Sequence, residues 1–197
     1  FYTDTYHLDG WRIDTSGFSM HQNWSDKLPY NRGSWAMSQG GLNMMNALRN
    51  MARKSNPEAI TLGECDGSIY GTSADAVYDF PLCRQVFRSI QSFEPEKFVR
   101  ELTLWLHEQK HAELEDLVRL RYIDSHDEPR AELLYGPEPM RAGVAMTAWI
   151  HGIPMLYKEM EDGHSEIFSR IMELRSSVPE LSDGNAMYPG CEVTAGV

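Results

Sequence analysis

With 197 residues, 42% of them apolar and 24% charged, the chain is long enough for one domain with a sizeable core and too apolar to stay disordered. A formal net charge of -11 repels phosphate backbones and anionic lipid, so neither nucleic acid nor a membrane surface is an expected partner, whereas a neutral sugar is unaffected. The three cysteines, Cys65, Cys83 and Cys191, are odd in number and lack metal-ligand spacing; reduced thiols are expected, which mildly favours a cytoplasmic setting.

In chain order, the first strand is expected over Leu8–Asp14, followed by a long polar loop from Thr15 to Arg32 rich in Ser, Asn, Gly and Pro. A helix over Trp35–Lys54 places Leu42, Met45, Leu48 and Ala52 near one face. Two more strands are expected at Ala59–Glu64 and Ala74–Phe80. The next helix begins at Pro95, with Phe98, Leu102, Trp105 and Leu106 at i, i+4, i+7 and i+8. A fourth strand spans Val118–Asp124, and the nearly all-apolar stretch Met140–Ile150 reads as a buried helix ending at Gly152. The fifth strand covers Ile153–Tyr157, and Ile167, Ile171 and Leu174 mark a last amphipathic helix before Pro179. Each strand is followed by a helical pattern. Five βα units imply an α/β fold whose parallel sheet is covered on both faces or belongs to a barrel, although five units do not close an eight-stranded one. No apolar run approaches the length of a membrane span. The chain opens at Phe1 rather than Met, so an upstream portion is expected.

Three blocks carry the chemistry. They are Gly10-Trp11-Arg12-Ile13-Asp14, then Gly63-Glu64-Cys65, then Ser125-His126-Asp127-Glu128-Pro129-Arg130. Each ends an apolar run at a carboxylate, which reads as a strand delivering an ionisable side chain to one edge of a sheet. In this order and spacing the blocks resemble the α-amylase family of glycoside hydrolases and transglycosidases. In that family one strand ends in Gly-x-Arg-x-Asp, the next in an isolated Glu and a later one in His-Asp. Gly152 to Tyr157, through Glu161, resembles the family's last barrel strand, and Leu174-Arg175 with Pro179-Glu180-Leu181 its closing helix.

The resemblance implies a partial (β/α)8 TIM barrel, strands four to eight, over residues 1–185, with 186–197 as the start of a following C-terminal domain or a tail. It implies a retaining α-glycosidase acting on α-glucosidic bonds of oligo- or polysaccharides in carbohydrate metabolism, with Asp14 as nucleophile and Glu64 as general acid/base. Asp127 and His126 would bind sugar hydroxyls. Retention needs two carboxyl groups about 5 Å apart, and neighbouring strand ends can bring them together. Arg12, two residues before Asp14, projects to the same face and keeps that carboxylate ionised. Glu64 must begin protonated, which calls for a less polar or a like-charged setting. The chemistry needs no cofactor, and no residue here is assigned to a metal. The family's Asp and Asn-His block near strand three, which also holds a structural calcium in many members, belongs to the missing N-terminal half of the barrel, the expected structural partner.

Two departures stand out. Starch-cutting amylases commonly continue past the nucleophile as Asp-Ala-x-Lys-His, whereas this chain reads Asp14-Thr15-Ser16-Gly17-Phe18, which leaves room for a glucan transferase. Where the family often has Tyr-x-Gly-x-Glu, Tyr157-Lys158-Glu159-Met160-Glu161 carries Glu in the Gly position, so a rearranged loop is expected. A rival motif, His107-Glu108-Gln109-Lys110-His111, fits the His-Glu-x-x-His signature of zinc metalloproteases. At about 100° per residue, however, both His fall opposite the Phe98, Leu102, Trp105 face and should point to solvent, and only Glu128 or Glu132 offers a third ligand. The non-catalytic alternative is an inactive fragment or scaffold. For single residues the bland readings are a structural Arg12–Asp14 ion pair, a solvated Glu64, and Asp127 as the N-cap of the helix that begins near Pro129.

Overall fold

The computed structural model describes residues 2–18, 35–92, 94–112, 114 and 117–183. Hydrogen bonding joins five strands in the order β1-β2-β3-β4-β5: Gly10–Ile13 (β1), Ile60–Gly63 (β2), Ala76–Tyr78 (β3), Val118–Arg121 (β4) and Ile153–Pro154 (β5). All five lie within the expected strands and are shorter: β1, β2 and β3 at both ends, β4 and β5 only at the C-terminal end. The chain divides into two compact units, residues 1–78 with 113–118, and residues 79–112 with 119–197.

In the first unit, α1 (Tyr2–Tyr6) precedes β1, and the 21-residue α2 (Trp35–Ser55) crosses over to β2. β1 and β2 are parallel and paired residue for residue from Gly10↔Ile60 to Ile13↔Gly63, and β2 pairs parallel with β3. Leu42, Met45 and Ala52 of α2 are buried as expected, but Leu48 is exposed. Leu42 and Met45 pack with Ile13, Cys65, Tyr70, Val77 and Leu117. Asp75 locks the helix to the sheet: one oxygen takes Arg49 and Arg53, each at 2.8 Å, and the other takes the Thr61 backbone N–H at 2.7 Å and its hydroxyl at 2.9 Å. Gly41 allows closest approach, since a Cβ there would lie 2.0 Å from the Ser16 carbonyl oxygen. Most of the expected Thr15–Arg32 loop lies outside the described residues, as does 186–197.

The connection from β2 to β3 corrects the reading of five equal βα units. It holds only a 3₁₀ turn, Ser68–Thr72, preceded by Gly67 at φ +123°. Twelve residues separate Gly63 from Ala76, close to the minimum for a parallel crossover, and they hold this 3₁₀ turn in place of an α-helix.

In the second unit, a π-helical turn (Leu82–Val86) and a 3₁₀ turn (Phe87–Ser92) lead into α3 (Pro95–Ala112). Beyond β4, whose Val118 counts with the first unit, come α4 (Ala131–Tyr135), α5 (Pro137–Trp149), β5, α6 (Ser165–Ser177) and α7 (Glu180–Asp183). β4 and β5 are parallel, Leu120↔Ile153 and Arg121↔Pro154. The core gathers Leu82, Phe87, Ile123, Met140, Val144 and Phe168 among others, so α5 is the buried helix expected around Met140–Ile150. On α6 the buried residues are Phe168 and Ile171, while Ile167 and Leu174 of the expected stripe are exposed.

A closed polar network sits within this core. Asp79 Oδ1 accepts from Trp105 Nε1 at 2.9 Å and from the Leu82 backbone N–H at 3.2 Å. Its Oδ2 accepts from Gln109 Nε2 at 3.1 Å and pairs with Arg121. Arg121 in turn donates to the His151 carbonyl at 2.7 Å. Gly152, at φ +134°, makes room: a Cβ there would sit 2.7 Å from Arg121 Nε. Among the described residues no helix is long and apolar enough to cross a membrane.

Candidate active site

The in-step register of β1 and β2 decides the geometry of the first unit. With Ile13 opposite Gly63, and the Glu64 N–H donating to the Ile13 carbonyl at 2.9 Å, the two strands end side by side at Asp14 and Glu64. Arg12 bridges the carboxyls. One terminal nitrogen holds Asp14 Oδ1, and the other lies 2.8 Å from Glu64 Oε1. Glu64 is buried, and the Asp14 side chain is 70% exposed. The fold thus brings Arg12, Asp14 and Glu64 together.

Thr15 completes the cluster. Its backbone N–H donates to Glu64 Oε2 at 2.7 Å, and its hydroxyl reaches Asp14 Oδ2 at 3.5 Å. To aim that N–H the residue takes φ +40°, in the left-handed region that β-branched side chains avoid. Sequence reasoning missed this donor, because backbone N–H direction leaves no mark on residue type. Tyr78 was missed too: its ring lies 5.8 Å from the Arg12 guanidinium carbon, and its side chain shares a hydrogen bond with Arg12.

The electrostatics follow from these contacts. The Arg12 hydrogen bond is the largest cause that holds the Asp14 carboxyl below the ordinary carboxylate range, with Thr15 and Glu64 adding to it. Burial works against the charge on Arg12, but Tyr78, Asp14 and Glu64 outweigh it, so the guanidinium is held more firmly protonated than usual. Of the two settings expected for Glu64, the like-charged neighbour is present in Asp14. The less polar one is not, because the buried carboxyl faces a guanidinium and an amide N–H.

In the second unit, His126 and Asp127 lie together beyond β4. His126 Nε2 is 3.3 Å from Asp127 Oδ2, and both side chains are about half exposed. Asp127 does not cap α4. That helix takes its side-chain acceptor from Asp124, whose Oδ2 receives the Ala131 N–H at 2.9 Å. Asp124 is buried, its Oδ1 has no hydrogen-bond partner, and burial pushes its carboxyl above the ordinary range.

His107, Glu108 and His111 are exposed on α3, the two imidazoles stacked with centroids 6.0 Å apart, and Gln109 turns inward to the Asp79 network. Among the described residues no further His, Cys, Asp or Glu joins the two in a ligand cluster. Glu128 is held by Arg84 and Arg88, and Glu132 lies 3.3 Å from His164. Glu159 stands at φ +67°, the backbone conformation that glycine favours.

The class defined so far is an α/β fold with an arginine-bridged carboxyl pair at adjacent parallel strand ends. No family model matches the chain, and no curated protein does. Solved structures do. An α-amylase from Lactobacillus plantarum matches with TM-score 0.67 at 17% identity, over 91% of this chain and 46% of that one. A cyclomaltodextrinase matches with TM-score 0.66 at 20% identity, over 91% of this chain and 32% of that one. A debranching enzyme from Nostoc punctiforme matches with TM-score 0.64 at 18% identity, over 89% and 42%. The chain therefore spans less than half the length of these structures, and it has their fold over the part it covers.

Proposed function

We propose that the chain is the C-terminal part of an α-amylase-type catalytic barrel, and that the whole protein is a retaining α-glycosidase acting on α-glucosidic bonds of oligo- or polysaccharides. The observation that carries this reading is the β1/β2 register, which sets two carboxyls on one guanidinium; double displacement uses two carboxyl groups about 5 Å apart. Asp14, exposed and held ionised by Arg12, attacks the anomeric carbon while Glu64 gives a proton to the leaving oxygen. The glycosyl–Asp14 ester is then hydrolysed by water, from which Glu64 takes a proton. The partly buried Arg12 orients both groups. Asp127 and His126 bind hydroxyls of the sugar ring, strengthening as charge develops in the transition state. An amylase, a cyclomaltodextrinase and a debranching enzyme among the structural likenesses support an α-glucan substrate.

Trapping the intermediate tests the assignment. In the complete natural chain carrying Glu64→Gln, an α-maltosyl fluoride needs no acid for its leaving group, so a glycosyl adduct should accumulate on the peptide containing Asp14 and register as added mass. An adduct on another carboxylate, or none while the wild type turns the fluoride over, would overturn the roles given to Asp14 and Glu64.

A further inference from the structure

Glu128 follows directly after His126-Asp127, and its side chain is only 6% exposed. Its two oxygens are taken by two arginines, Arg84 Nε at 2.5 Å and a terminal nitrogen of Arg88 at 2.9 Å. Arg84 sits on the π-helical turn Leu82–Val86 and Arg88 on the 3₁₀ turn after it, four residues on. Arg84 is further fixed by its position over the Phe80 ring, 4.2 Å from the centroid. The rest of the segment is pinned as well. Asp127 N–H donates to Ser125 Oγ and Glu128 N–H to the Ser125 carbonyl, each at 3.2 Å, and Asp124 holds Ala131. Only His126 and Asp127 keep half-exposed side chains.

We infer that Glu128 is a positioning residue: the Arg84–Glu128–Arg88 clamp fixes the Ser125–Glu128 turn so that the carboxylate of Asp127 and the imidazole of His126 are presented in one orientation. The inference rests on the sugar-binding roles proposed for those two residues. A charged carboxylate so deeply buried stays in place only while both partners hold it, and a shift of about 1 Å in a substrate-orienting group costs up to about 100-fold in rate. Without the clamp the turn loses its anchor on the Leu82–Ser92 segment and the two side chains sample several orientations.

The test uses the full natural chain with maltotetraose as substrate. Glu128→Gln should lower kcat by about 10- to 100-fold with KM changed little, and it should add no further loss in a background carrying both Asp127→Asn and His126→Gln, because it acts only through those two side chains. Amide exchange at Asp127 and Glu128 should speed up in the same variant. If Glu128→Gln does not fold, Arg84→Gln, which removes an arginine that is itself 44% exposed, carries the same expectations. Unchanged kcat with unchanged exchange would overturn the inference, as would a full additional loss on top of the Asp127→Asn, His126→Gln pair. A folded wild-type chain with no turnover would refute the glycosidase reading instead, and the clamp would then stand or fall on the exchange rates alone.

Discussion

Two arginine–carboxylate pairs, each at the end of a strand, show how surroundings divide structural from chemical roles. Around Asp79 every oxygen is taken by Trp105, Gln109, Arg121 or a backbone N–H, and neither Asp79 nor Arg121 has room for a visitor. Around Arg12 the same chemistry is left open. Glu64 is buried, yet the Asp14 carboxylate beside it is mostly solvated. A carboxylate with all its partners supplied by the fold rigidifies it, whereas one held by an arginine on one side and open on the other can meet a substrate.

The sharpest way to break this contrast is to remove a carboxylate from each region. Asp79→Ala leaves Arg121 buried without a counter-charge and should cost about 3–5 kcal/mol of unfolding free energy; Asp14→Asn should leave the denaturant midpoint nearly unchanged. Equal losses in the two urea melts would mean that the Arg12 cluster is structural after all.

A smaller effect, read from pH, separates Asp14 from Asp124. Asp14 has a folded value below the ordinary 3.8, so its stabilising contribution is present above pH 3.8 and lost as pH falls through the lowered value. Asp124 has a folded value above 3.8, so its contribution is present below pH 3.8 and lost as pH rises through the raised value. As pH rises, wild type should therefore gain on Asp14→Asn below about pH 3.8 and lose ground to Asp124→Asn above it. Parallel trends in the two series would contradict the burial argument for Asp124. A local change is expected at Glu159, where glycine relieves a left-handed backbone: Glu159→Gly should stabilise by about 1–2 kcal/mol. A destabilised variant would show that the side chain compensates for its conformation.

Much of the first region was legible in the sequence. Apolar runs stopping at Asp14 and Glu64 mark strand ends, and the i, i+2 relation puts Arg12 on the face of Asp14. What stayed hidden depends on the third dimension. Periodicity groups Leu48, Ile167 and Leu174 with buried neighbours, but it does not say how far a covering element reaches, and all three are exposed. The 3₁₀ connection between β2 and β3 passed for a βα unit because two strand patterns in succession carry no record of what fits between them. Asp124, not Asp127, serves α4, because the choice between two nearby carboxylates is made by the turn at Ser125 rather than by cap preference.

The most direct test of the central claim is NMR of the products formed from maltooligosaccharides by the complete natural chain, with anomers read before mutarotation and Asp14→Asn as control. The account predicts α-configured products that disappear in the variant. β-Configured first products, or α products that persist without the Asp14 carboxylate, would contradict a retaining mechanism built on the Arg12-bridged pair.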